Sequence, residues 1–305
     1  MFLPRKILEK KLLRMLAEDV GQGDVTTALI TPSGVEAEAE IVAKEAGVVA
    51  GAEEVTVFLE SLGLSVQTFI RDGEEIEAKQ VLFKVLGDVR TVLSAERTVL
   101  NVLSRMSGIA TTTRRLVVKL QKAGLRTRIA CTRKTAPGLL YFDKKAVAIG
   151  GGDTHRLHLD DMVLIKDNHI VVAGGIGQAV RMAKKKSSFT KKIEIEVTKA
   201  EDALTAAKAG VDIVMLDNFS PKQIETACKM LKEAKLYGRI LLEASGGITE
   251  ANVLSFASTG VDIVSLGEIT SGARPLNMSL EVSRVTGKPA SSRLRGGEKR
   301  SNRLQ

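Results

Sequence analysis

A barrel-like α/β domain preceded by a smaller α+β unit is the fold class this 305-residue sequence predicts. Three observations carry it. From about residue 125, short apolar runs alternate with helical patterns, which demands a parallel sheet with right-handed crossovers. Six strand segments fit that alternation, two short of a closed eight-stranded barrel. The segments GVDIVMLDN (210–218) and GVDIVSLGE (260–268) are near-duplicates fifty residues apart, each a glycine helix stop followed by a buried strand.

Residues 1–30 read as an amphipathic helix with Leu8, Leu12, Leu13 and Leu16 at helical spacing, broken at Gly21–Gly23. From 35 to 94 the pattern is strand-like. GVEAEAEIVAKEAGVVAG alternates small apolar and charged residues, and Asp72-Gly73 marks a turn before two short strands. Residues 94–122 form one long helical pattern, with Leu100, Leu103, Ile109 and Leu116 among its apolar positions. RIACT, MVLIK and KKIEIEV are then strands. A helix over EDALTAAKAG leads into VDIVMLDN, one over PKQIETACKMLKEAK into RILLEASGG, and one over TEANVLSFASTG into VDIVSLGE.

Composition narrows the function. Hydrophobic residues are 44% and charged ones 27%, enough for a sizeable core. Aromatics are 3% with no Trp, which argues against base-stacking platforms for nucleic acid. No apolar run is long enough for a membrane span, and MFLPRKILEKKLLRML has no signal-peptide core, so a cytoplasmic protein is expected. Cys131 and Cys228 make neither a disulfide framework nor a zinc cluster. The net charge of +9 is concentrated in the last eighteen residues, which hold six Lys/Arg against one Glu and read as a disordered basic tail, 288–305. A second basic run, AKKKSSFTKK (183–192), reads as a solvated loop. No nucleic-acid partner is expected.

In such barrels the active site forms at the C-terminal strand ends. Those ends carry Thr132, Arg133 and Lys134; Lys166, Asp167 and Asn168; Glu196; Asp217 and Asn218; Ser245, Gly246 and Gly247; and Gly267. Alternation in KIEIEV puts Ile193, Ile195 and Val197 on one face and Glu194 and Glu196 on the other. Two inward carboxylates need compensation, for which Arg128, Lys134, Lys166 or a metal is available. EASGGITEA offers backbone N–H groups to an anion, with Thr249 as a helix cap, and the triple glycine 150–152 reads as a second such loop. His155, His158 and His169 lack zinc-site spacing. Together these imply an anionic, phosphorylated substrate and a divalent metal.

The stretches TRKTAPGLLYFDKKAVAIGGGDTHR, LIKDNH, IEIEV, VMLDN, EASGGI and GVDIVSLG resemble, in order and spacing, the quinolinate phosphoribosyltransferase family, also called nicotinate-nucleotide pyrophosphorylase (carboxylating). The resemblance runs from DVGQGDVTT to about residue 285. It implies a type II phosphoribosyltransferase fold: an N-terminal α/β sandwich over 1–110, with 274–287 returning to it, and an open TIM-like α/β barrel over 111–273. It implies transfer from phosphoribosyl pyrophosphate to quinolinate, giving nicotinate mononucleotide, CO2 and pyrophosphate, with Mg²⁺. Arg97, Arg133, Lys134, His155 and Arg156 would hold quinolinate, with Thr132 beside them. Lys134 and Lys166 would act on both substrates. Glu196 and Asp217 would take ribose hydroxyls or metal, and Ser245, Gly246, Gly247 and Gly267 would cradle phosphate. A homodimer or higher oligomer with shared sites is implied, Arg97 acting in trans. The family's usual residues are absent at Thr154, His158 and Ser271, so a paralogue using another carboxylated acceptor is an alternative. A Schiff-base lyase built on Lys166 is a second.

Overall fold

The computed structural model describes residues 2–286, so the expected basic tail lies outside the described residues. Its N-terminal part opens with α1 (Arg5–Val20) and α2 (Val25–Ile30), the latter capped by Asp24, which accepts the Thr27 N–H at 2.9 Å. Leu8 and Leu12 are buried as expected, but Leu13 is 39% exposed, because the helix rests on one side only. Strands β1 (Glu36–Ala43) and β2 (Gly47–Val48) follow. Next comes α3 (Ala52–Ser61), a helix the sequence pattern does not announce, because Val55, Thr56 and Val57 favour strand locally. Then come β3 (Ser65–Thr68), β4 (Glu75–Ile76) and β5 (Val81–Asp88). The Asp72-Gly73 turn stands before β4 as expected, with Gly73 at φ +91°.

Helix α4 (Val89–Lys122) is 34 residues long and links the two halves. Leu100, Leu103, Ile109 and Leu116 are all buried along it. Beyond it lie β6 (Arg128–Cys131), α5 (Leu140–Ile149), β7 (Val163–Ile165), α6 (Asp167–Ala173) and α7 (Ile176–Lys186). The series continues with β8 (Ile193–Val197), α8 (Ala200–Ala209), β9 (Ile213–Asp217), α9 (Pro221–Glu233) and β10 (Leu241–Ser245). It closes with α10 (Val253–Ala257), β11 (Ile263–Leu266), α11 (Glu268–Ser271) and β12 (Met278–Thr286).

Six parallel strands form one sheet in the order β6-β11-β10-β9-β8-β7. Its ends, β6 and β7, do not pair with each other, which leaves the barrel open. The segment from β6 to β7 crosses that gap. Asp153 enters it as a bridge, its N–H on the Ile129 carbonyl at 2.7 Å and its own carbonyl accepting Cys131 N–H at 3.1 Å. The second sheet runs β12-β1-β5-β3, all antiparallel, with β12 brought back from the chain's end onto β1.

Two loop readings need correction. The triple glycine is no anion loop: the N–H groups of Gly150, Gly151 and Gly152 all bond to carbonyls at the end of α5. A Cβ at Gly150 would lie 2.6 Å from the Ala110 carbonyl, so this glycine permits α5 to meet α4. The basic run is not wholly a loop, since Lys184, Lys185 and Lys186 are the last turn of α7, where cations favour the helix dipole.

Candidate active site

The strand ends do what parallel topology requires and converge. Thr132, Arg133, Lys134, His155, Arg156, Lys166, Glu196, Asp217, Asn218, Ser245, Gly246 and Gly247 line one cleft of about 580 Å³ at the C-terminal mouth of the barrel. Leu164, Met215 and Glu243 line it too. Each of these three sits two residues before a strand-end residue, so period-2 alternation was the signal that could have found them. Asp167 and Asn168 are exposed at the start of α6 and do not line the cleft. Gly267 stands beside it, where a Cβ would meet Lys134 Cδ at 2.9 Å. Arg97 is absent from the cleft; it is exposed on α4 and has no ion-pair partner among the described residues.

Charge is distributed unevenly across the cleft. Lys166 Nζ pairs with Glu196 Oε1 at 2.6 Å. Its backbone N–H, at the N-cap of α6, donates to His169 Nδ1 at 2.9 Å, which accounts for His169. An ammonium held by a carboxylate is poorly placed as an amine nucleophile, which counts against the Schiff-base alternative. Arg133, Lys134 and Arg156, by contrast, have no ion-pair partner among the described residues. Burial, then the neighbouring Arg133 cation, pulls the Arg156 pKa below the ordinary arginine value. Cations gathered with no carboxylate at ion-pair distance mark an anion site.

Asp217 closes β9, and Asn218 Nδ2 donates to its Oδ2 at 2.8 Å. Asn218 has φ +57° and gives its N–H to the Ser245 carbonyl at 2.8 Å, locking the ends of β9 and β10 together. Thr249 does not cap α10; Asn252 holds the N-cap position, and its Oδ1 accepts the Thr249 N–H at 2.8 Å rather than one of the helix. Glu194 is fully buried, as its inward face implies, yet its partner is none of the cations the sequence offered. His155 Nε2 lies 3.4 Å from Glu194 Oε2 and 3.2 Å from Glu243 Oε2. The His155–Glu243 contact joins residues 88 apart in the chain, beyond the reach of spacing rules. Arg128 instead stands 3.9 Å from Asp153.

An open six-stranded parallel barrel with cations and carboxylates at its mouth is the architecture of a type II phosphoribosyltransferase. Residues 24–107 match the family described as quinolinate phosphoribosyl transferase, N-terminal domain, and residues 109–281 its C-terminal domain. The chain belongs to the quinolinate phosphoribosyl transferase family. The probable nicotinate-nucleotide pyrophosphorylase [carboxylating] of Methanothermobacter thermautotrophicus is 44% identical over 268 residues, covering 88% of this chain and 96% of that protein. The human nicotinate-nucleotide pyrophosphorylase [carboxylating] is 36% identical, covering 84% of this chain and 85% of that one. The structure of the Francisella tularensis nicotinate-nucleotide pyrophosphorylase superposes with a TM-score of 0.82 at 37% identity, covering 92% of this chain and 98% of that chain.

Proposed function

We infer that this protein transfers the phosphoribosyl group of phosphoribosyl pyrophosphate to quinolinate and decarboxylates the product. The observation that carries this reading is the trio of unpaired cations, Arg133, Lys134 and Arg156, facing Glu196 and Asp217 across one cleft. Guanidinium forks suit planar carboxylates better than ammonium groups do. In the reaction the pyridine nitrogen bonds the ribose anomeric carbon as the bond to pyrophosphate breaks. The carboxylate next to that nitrogen then leaves as CO2, its electron pair stays on the ring carbon, and a proton replaces it. Lys134 and Lys166 stabilise the departing pyrophosphate and the charge left on the ring, and carboxylates near the ribosyl centre favour its cation-like transition state.

Mg²⁺ fits this donor set. Glu196 and Asp217 line the one cleft and would offer the ion a pair of hard carboxylates. That is the usual protein share for Mg²⁺, which takes its remaining ligands from phosphate and water. Bound there, it would neutralise pyrophosphate charge. Ser271 gives its hydroxyl to the Gly267 carbonyl at 2.9 Å, so phosphate relies on the N–H groups of Gly246, Gly247 and Gly267.

Arg97 does not line the cleft of its own chain, which supports a homodimer in which it completes the partner's site. A reducing cytoplasm suits the two free, buried cysteines, and among the described residues no helix is long and apolar enough to cross a membrane. The direct test is to incubate the protein with quinolinate, phosphoribosyl pyrophosphate and Mg²⁺. Nicotinate mononucleotide and CO2 should form one for one, and chelation of Mg²⁺ should stop them. Absence of both products in the presence of Mg²⁺ would overturn the reading.

A further inference from the structure

His155, Glu194 and Glu243 form a buried polar cluster on the barrel axis that the reaction above does not use. The two glutamates are fully buried. Both Glu194 oxygens and Glu243 Oε1 have no hydrogen-bond donor among the described residues. On one side the cluster meets the cleft of about 580 Å³, through His155 and Glu243. On the other, the same two residues line a second cavity of about 310 Å³ at the N-terminal ends of the strands. Carboxylates here are costly where packed apolar side chains would serve a merely structural plug as well or better.

The imidazole decides what the cluster does. The Arg156 backbone N–H meets His155 Nδ1 at 2.7 Å, while Nε2 faces the two glutamates. His155 also sits at φ +51°, a left-handed conformation rare for a residue with a side chain. Asp153 Oδ1 accepts its N–H at 2.8 Å, and the fully buried Lys144 donates to the carbonyl of Thr154 just before it.

We propose that Glu243 and Glu194 are positioning residues: they hold the His155 ring so that its Nδ1 fixes the backbone of Arg156, and thereby aim that guanidinium at the acceptor's carboxylate. The inference rests on the quinolinate reading and adds to it the groups that set Arg156. Glu243→Leu removes one of two buried carboxylates that share a single imidazole, and Glu194 stays 3.4 Å from Nε2 to pair with it, so the variant should still fold. Its KM for quinolinate should nevertheless rise about tenfold, the worth of one good hydrogen bond, with KM for phosphoribosyl pyrophosphate unchanged. Glu243→Gln keeps an oxygen for the Nε2–H and should restore a near-wild-type KM for quinolinate. A stable Glu243→Leu with unmoved KM, or a Gln variant as impaired as Leu, would overturn the proposal. Should Glu243→Leu not fold, Glu194→Leu, which removes only the 3.4 Å charge contact to Nε2, should raise the same KM by a smaller factor, and failure of both to fold would assign the cluster to stability alone. Wild-type protein inert toward quinolinate would instead fail the functional reading itself.

Discussion

Gly246 has φ +92°, and a Cβ there would lie 2.3 Å from Oδ1 of Asn218, the residue whose amide orients Asp217. Glycine is required twice over, for the backbone conformation and for the close approach. Gly246→Ala should displace Asn218 and cost about 10²-fold in kcat/KM for phosphoribosyl pyrophosphate, as a misplacement near 1 Å does. Steady-state kinetics on the folded variant check this, and wild-type values would make the contact incidental. Glu196 faces a different demand, since it neutralises Lys166 at 2.6 Å. Glu196→Gln keeps the size and removes the charge, so turnover should drop about 10²-fold, the scale for losing one electrostatic contact at a reacting centre. Its melting transition should stay close to wild type, because the side chain is partly exposed at the mouth. A variant that loses its melting transition but keeps activity per folded molecule would make Glu196 structural.

Among elements, the join between α3 and α5 is built on buried charge. Lys145 Nζ reaches Glu54 Oε1 at 2.8 Å and also Glu53, while Tyr141 donates to Glu54 at 3.0 Å. Burial raises the pKa of Glu54. Burial also opposes the Lys145 charge, but Glu54 and Glu53 together outweigh it and raise that pKa. Lys145→Ala would leave a fully buried carboxylate unpaired and should cost about 3–5 kcal/mol in chemical denaturation. A loss below about 1 kcal/mol, the size of a surface pair, would show that the network is not what joins these helices. The same element shows where sequence reading stops. The six barrel strands were legible because Gly-stopped helices alternate with apolar runs, and α4 because its leucines hold one period over many turns. Helix α3 was not, because its β-branched residues imitate a strand and its capping comes from afar, Asp72 accepting the N–H groups of Gly51 and Ala52. The triple glycine misled for a related reason: glycine marks close approach as readily as it marks an anion loop. Of the site, the strand-end residues were legible from topology and the family's motifs, whereas the His155–Glu194–Glu243 cluster exists only once strands distant in sequence are placed side by side.

At the scale of the whole molecule, the proposed assembly rests on the position of Arg97. It is exposed on α4 and outside its own chain's cleft. If it completes the partner's site, Arg97→Ala and Lys134→Ala protein, each inactive alone, should complement on mixing. In a two-fold dimer a mixed pair has one site with both lesions and one with neither, so random exchange should restore roughly a quarter of wild-type activity. Exchanged subunits that stay inactive would place Arg97 in cis or outside the site. Whatever the assembly, the central claim is that the cations of this cleft read two carboxylates on one ring. Its most direct measurement is kcat/KM for quinolinate against nicotinate, which has one carboxylate fewer. A guanidinium left unpaired in the cleft should favour quinolinate by at least ~100-fold, and equal turnover of the two acids would contradict the account.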